Sequence, residues 1–133
     1  MPYTKPLPRI DTLNKPFWDA ARQGKLLLQH CPACGDTRFP PGPVCPVCLA
    51  GDQDWVESAG QGTLESWIDM HRAYWDGFKD DLPYRVCLVR LAEGPLLVSN
   101  LMSPAENPRI GAAVKAVFDA VTGDVTLPKF ALV

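Results

Sequence analysis

Apolar positions along the chain change rhythm twice, and each change marks a different kind of element. From Thr12 to Gly24, TLNKPFWDAARQG, the residues Phe17, Ala20, Ala21 and Trp18 recur at helical spacing. Asn14 suits a helix cap, Pro16 sits near the first helical position and Gly24 stops the run. Phe17 and Trp18 either pin this helix to the body or touch a ligand, and pinning is the simpler expectation. Lys25 to Gln29, KLLLQ, then reads as a short buried strand. No periodicity survives between Cys31 and Cys48, and Asp54 to Glu57, DWVE, reads as the strand that leaves this region. After the turn segment Ser58 to Gly62 the texture becomes short strands separated by turn residues, the pattern of a small barrel.

Within that second half, Thr63 to His71 alternates. Strict alternation places Leu64, Ile68 and Met70 on one face and Glu65, Trp67, Asp69 and His71 on the other. Arg85 to Leu91 and Leu96 to Leu101 form a hairpin through Ala-Glu-Gly-Pro, and Cys87 falls inside it as a small buried hydrophobe rather than a nucleophile. Asn107 to Gly111 is a turn. Val125 to Val133 is a closing strand whose Pro128 implies an edge or a bulge. Ile110 to Val121 fits two periods, since Val114, Val117 and Val121 suit a helix while Val114, Ala116 and Phe118 alternate; the β surroundings favour a strand. Met1 to Leu13, with Pro2, Pro6 and Pro8, reads as an extended arm docked on a surface, that of a partner included. The segmentation is therefore 1–24, arm and helix; 25–58, the cysteine-bearing region; and 59–133, the barrel.

Composition narrows the class. A chain of 133 residues, 47% hydrophobic, forms one compact domain or two very small modules sharing an interface. Its net charge of −2 and pI near 5.6 weigh against a nucleic-acid binder, which carries a basic excess. The start, MPYTKPLPRI, has no apolar signal region, and no later run approaches the ~18 apolar residues of a membrane span. A cytoplasmic protein is expected.

The cysteines carry the clearest chemistry. Cys31/Cys34 and Cys45/Cys48 are two Cys-Pro-x-Cys knuckles with ten residues between them. Four thiolates arriving as two tight pairs suit a single tetrahedral zinc ion, and a filled shell leaves no open position for catalysis. Pro32 and Pro46 preset the turns, and Gly35 supplies the left-handed residue wanted after the first knuckle. Leu49 stands at the matching place after the second. His30 precedes Cys31, but a complete shell has no use for it. Iron fits the same cage, so a rubredoxin-like electron carrier stays open. A thioredoxin-like pair or disulfides fit the doubled spacing poorly.

The second candidate region is His71 to Tyr84, HRAYWDGFKDDLPY, with Tyr74, Trp75, Phe78 and Tyr84 among charges and Gly77 for flexibility. Such a loop folds back as a lid or makes a binding surface. Asp69 and His71 lie two apart on one strand face and, if bonded, would make an acid/base pair.

Together these parts resemble a known family. The helix PFWDAARQGKLLLQHC, the knuckles CPACG and CPVC, then SAGQGTLESW, LPYRVCLVRLAEGPLLVSNL, IGAAVKAVFDAV and TLPKF closely resemble the zinc-ribbon/OB-fold proteins known as domain of unknown function 35, from about Pro16 to Phe130. The resemblance implies a mainly β fold: a short N-terminal helix, a rubredoxin-like zinc ribbon and a C-terminal five-stranded OB barrel, with 110–121 as a strand. It also implies a non-catalytic accessory subunit, assembled as a hetero-oligomer. The implied partner is a thiolase-superfamily enzyme (a thiolase, a thiolase-like aldolase or an acyltransferase) or a MaoC-type enoyl-CoA hydratase. Zinc would be structural and a coenzyme A thioester the ligand. A pantetheine arm wants apolar walls and its phosphates want cations. Trp67, Tyr74, Trp75, Phe78 and Tyr84 could supply the walls, Arg72, Lys79 and Arg85 the charge, with His71 on the same acyl-CoA or partner surface. A single-stranded nucleic-acid-binding OB-fold protein is the alternative from another class.

Overall fold

The computed structural model describes residues 3–102 and 108–133. One α-helix, one short 3₁₀ helix and two antiparallel sheets make up the described residues. Helix α1 spans Lys15–Arg22 and buries Phe17, Ala20 and Ala21, the stripe its spacing predicts. Gly24, at φ +76°, turns the chain out of it. Asn14 occupies the cap position, but its carboxamide bonds no helical N–H. Instead Asn14 and Asp11 exchange bonds: Asp11 N donates to Asn14 Oδ1 at 2.8 Å, and Asn14 N to Asp11 Oδ1 at 2.9 Å. The residue was legible as a helix start; its side chain closes the preceding turn.

The first sheet has β1 (Leu27–His30) at its centre, flanked by β2 (Thr37–Arg38) and β3 (Asp54–Glu57). The second has five strands in the order β6-β5-β4-β7-β8, where β4 is Gln61–Met70, β5 Tyr84–Leu91, β6 Leu96–Asn100, β7 Ala113–Ala120 and β8 Thr126–Leu132. The two free edges nearly meet: Leu101 bridges Phe130 in parallel, Met102 N donates to Phe130 O at 2.7 Å, and Ser99 Oγ donates to Pro128 O at 2.7 Å. This order and its closing parallel contact are those of an OB barrel. The segment with two readings, 110–121, yields strand β7, with Val114 buried and Ala116 and Phe118 packed beneath it. Pro128 lies on the sheet's last strand, as expected of a residue without an N–H. Asn107 lies outside the described residues; of the expected turn the structure shows Ile110 and Gly111, the latter at φ +87°.

Alternation along β4 fails, and the reason is local. Leu64 pairs with Val89 but Ser66 pairs with Leu88, leaving Glu65 as a bulge. One extra residue flips every later side chain to the opposite face. Trp67, expected with the polar set, packs on the core instead, and Ile68, expected inside, is 53% exposed.

A single core joins the parts. Phe17 of α1, Leu26 just before β1 and Leu28 within it fall in one buried cluster with Leu64, Val89, Leu97, Val114 and Phe130 of the barrel. Between the sheets, the Glu93 carboxylate accepts from Ser58 Oγ at 2.7 Å and from Ala59 N at 2.8 Å, fixing the crossing chain to the β5–β6 turn. The arm folds on its own chain: Lys5 Nζ sits 2.6 Å from Asp81 Oδ2 and stacks on Phe78, while a Cβ at Gly77 would lie 2.6 Å from Thr4 O. No helix among the described residues is long and apolar enough to cross a membrane.

Gly62 opens β4 against Arg90 and Val89, where a Cβ would stand 2.5 Å from Arg90 O and 2.8 Å from Val89 Cγ1. Backbone cannot yield as a side chain can. Gly62→Ala is expected to lower unfolding stability by about 2–3 kcal/mol, measured by denaturant titration.

Candidate functional site

The two knuckles are built alike. In the first, Gly35 N donates to Cys31 O at 2.8 Å and Cys31 N to Asp36 O at 2.8 Å; in the second, Leu49 N donates to Cys45 O at 2.8 Å and Cys45 N to Ala50 O at 3.0 Å. Both turns need a left-handed residue at the same place. Gly35 provides φ +82° without cost, whereas Leu49 adopts φ +66° with its side chain 72% exposed. The proline-rich connector is held down by buried Gln29, whose amide donates to Gly42 O at 3.0 Å and accepts from Gly42 N at 2.8 Å.

These turns bring four sulfurs together. The Sγ atoms of Cys31, Cys34, Cys45 and Cys48 lie within 4.8 Å of one another, with Cys31–Cys48 and Cys34–Cys45 each at 3.6 Å. A tetrahedral Zn(Cys)4 centre with bonds near 2.3 Å has sulfur–sulfur edges of about 3.8 Å, so the cage fits the ion. Its protonation points the same way. Burial pushes the Cys31 thiol up, but N–H groups of Cys34 and Ala33 and neighbouring thiols outweigh it and bring the value down to about 6. Cys34 receives the Asp36 N–H, which lowers its pKa, yet burial and the surrounding sulfurs prevail and push it up to about 12. Cys45 is lowered like Cys31 and Cys48 raised like Cys34. Four thiolates cannot share this volume without a cation, and a divalent ion resolves the conflict. His30 stands apart, with Nδ1 donating to Asp54 Oδ1 across β1 and β3 at 2.8 Å.

The aromatic candidates scatter. A cleft of about 560 Å³ opens between the arm, a short 3₁₀ helix (Asp76–Asp81) and the seam where β6 meets β8. Of the sequence-derived surface Phe78, Tyr84 and Arg85 line it, the two rings stacked with centres 4.9 Å apart. Trp67, His71, Arg72, Tyr74 and Trp75 lie outside the lining. Trp67 is under the Arg85 guanidinium at 5.3 Å; Arg72 covers the Tyr74 ring at 5.1 Å; Tyr74 and Trp75 are 67% and 59% exposed. The cations facing the cleft are matched with acids: Lys5 with Asp81 at 2.6 Å, Arg85 with Asp69 at 3.0 Å, Lys129 with Asp119 at 2.7 Å. The hydrogen bond that Lys5 donates to Asp81 raises the Lys5 pKa. Asp69 is thus engaged by Arg85 rather than by His71. Sequence reasoning passed over Lys5, Asp119 and Lys129, which are far apart along the chain and carry no local signal. Cys87 is buried, and burial pushes its thiol up to about 11.

Comparison with known proteins identifies both halves. Residues 18–53 match the family model described as "ChsH2, rubredoxin-like zinc ribbon domain", and residues 55–119 match "ChsH2, C-terminal OB-fold domain". A "Probable enoyl-CoA hydratase alpha subunit" of Thermomonospora curvata is 41% identical over 95% of this chain, which spans only 39% of that protein's length. A "DUF35 domain-containing scaffold protein" of Methanothermobacter thermautotrophicus is 32% identical over 72% of this chain and 73% of its own. Among solved structures, one described as "Ltp2-ChsH2(DUF35) aldolase" superposes with a TM-score of 0.85 at 39% identity, covering 95% of this chain and 98% of the other. A DUF35 protein of unknown function from Sulfolobus solfataricus shares the fold, with a TM-score of 0.65 at 18% identity over 92% and 86% of the two chains.

Two outcomes follow for the cage. Cys34→Ser is expected to unfold the ribbon, because structural zinc contributes on the order of 10 kcal/mol to folding; circular dichroism and metal analysis of the variant check this. The raised thiols hold protons in the metal-free chain, so zinc uptake near neutral pH is expected to release them, those of Cys34 and Cys48 among them. Affinity must then fall as pH falls, which calorimetry in buffers of different ionisation enthalpy reads directly.

Proposed function

The chain belongs to the ChsH2 family, proteins with a rubredoxin-like zinc ribbon and a C-terminal OB-fold, and from that membership we propose that it is a non-catalytic accessory subunit of an acyl-CoA enzyme of the thiolase superfamily. The observation that carries this is the match to the ChsH2 part of an aldolase, which covers 98% of that chain at a TM-score of 0.85. In this reading the barrel and the zinc-clamped ribbon form one attachment that completes and steadies the partner's active-site region and helps hold its thioester substrate. Residues 25–58 are the clamped unit and 59–133 the barrel.

Chemistry within the chain supports a subsidiary role. Cys87 is buried with its thiol raised, the four remaining cysteines are committed to one cage, and Asp69 is spent on Arg85. The cleft offers aromatic walls at Phe78 and Tyr84, but its cations already face carboxylates. Phosphates of coenzyme A would have to displace those carboxylates, so the partner is expected to supply the phosphate contacts. Tyr74 and Trp75, both outward-facing, suit the surface the partner covers. A second reading, partnership with a MaoC-type enoyl-CoA hydratase, is favoured by one observation, the 41% identity to part of a probable hydratase subunit.

Affinity capture of the chain from its native cells, with identification of bound proteins, separates the two. The expected companion is a thiolase-like enzyme whose activity on its acyl-CoA disappears without this chain and returns on adding it. Capture of a hydratase with the same dependence replaces that reading by the second. Turnover of an acyl-CoA at enzymatic rates by this chain alone overturns both.

A further inference from the structure

Arg38, on β2, has a side chain only 10% exposed, yet its Nε and Nη1 find no hydrogen-bond partner among the described residues. Burying a guanidinium this incompletely satisfied is unfavourable unless nearby negative charge offsets it. Its neighbours show where that charge lies. Nη1 stands 3.8 Å from the Asp36 carboxylate, and Nη2 donates to Gln53 Oε1. Both contacts lead to the cage. Asp36 gives its backbone carbonyl to Cys31 N, and the Gln53 amide donates at 2.9 Å to Ala50 O, which itself accepts from Cys45 N. One side chain therefore spans the exits of both knuckles, tying the first cysteine of one to the first cysteine of the other.

We propose that Arg38, acting through Asp36 and Gln53, is the positioning residue of the metal centre, holding the two knuckles at the spacing zinc requires. Besides the pairing of β1 with β2 and β3 and the Gln29–Gly42 bonds, this link ties the two turns directly to each other. With it, loss of one pair of sulfurs requires breaking the chain Asp36–Arg38–Gln53–Ala50 as well. The residue touches no metal; it acts on the ligands through their backbone partners.

The proposal concerns zinc retention alone, so its outcome is independent of whether the partner enzyme is a thiolase, a hydratase or neither. The test uses the full chain loaded with zinc and follows metal transfer to a chromogenic chelator. Arg38→Met, which keeps the stem and removes the charge and fork, is expected to release zinc about 10–100-fold faster. Gln53→Ala, which leaves the guanidinium in place, is expected to accelerate release as well, and it carries the test alone if Arg38→Met does not fold. Arg38→Lys is expected to fall between Arg38→Met and the parent. The double variant is expected to be no faster than Arg38→Met, because both changes cut one link. Parental release rates in Arg38→Met and Gln53→Ala, or effects that multiply independently in the double variant, would overturn it.

Discussion

A ribbon of three short strands has too little surface to enclose a core of its own, and everything else in this chain answers to that shortage. The apolar side of β1 has to be covered from outside. Leu26 and Leu28 are buried in the same cluster as the barrel's Val89, Val114 and Phe130, with Phe17 of α1 wedged among them. Small domains commonly meet this problem with a metal or by leaning on a neighbour. Here both solutions occur at once: the far end of the ribbon is gathered by four cysteines, and the near end shares the barrel's interior. The Glu93 carboxylate, closing on Ser58 and Ala59, fixes the angle at which the two meet. In the proposed role as an accessory subunit, this continuity would give the partner a defined surface.

Features with a short-range cause were readable in the amino-acid sequence. The cage depends on spacing within each knuckle, the hairpin on Glu-Gly-Pro between two apolar runs, and the helix on Pro16, Phe17 and Gly24; all three stand where expected. Family resemblance, rather than periodicity, decided between helix and strand for 110–121. What periodicity misjudged was β4, since a rule of two cannot anticipate the extra residue at Glu65 that turns Trp67 inward and Ile68 outward.

The cleft was less legible because it is assembled from distant segments. Six of the nine nominated residues lie outside the cleft, while Tyr3 and Lys5 from the arm and Lys129 from the last strand line it. The arm suggested a partner's surface, but residues 3–5 rest on the chain's own 76–81 segment, because Gly77 leaves room for Thr4 and Asp81 draws Lys5. No local pattern announces such a pairing. Arg38 was silent for the same reason: an arginine in a two-residue strand means little until Asp36 and Gln53 are seen on either side of it.

The two halves of the clasp are mirror-like in their hydrogen bonds but unequal in their backbone ease. Where Gly35 sits at rest, Leu49 is held in a left-handed turn at roughly 1 kcal/mol or more above its preferred conformation, with no buried contact of its side chain to compensate. The clasp accordingly has a relaxed jaw and a sprung one, the latter closed by Cys45 with Cys48.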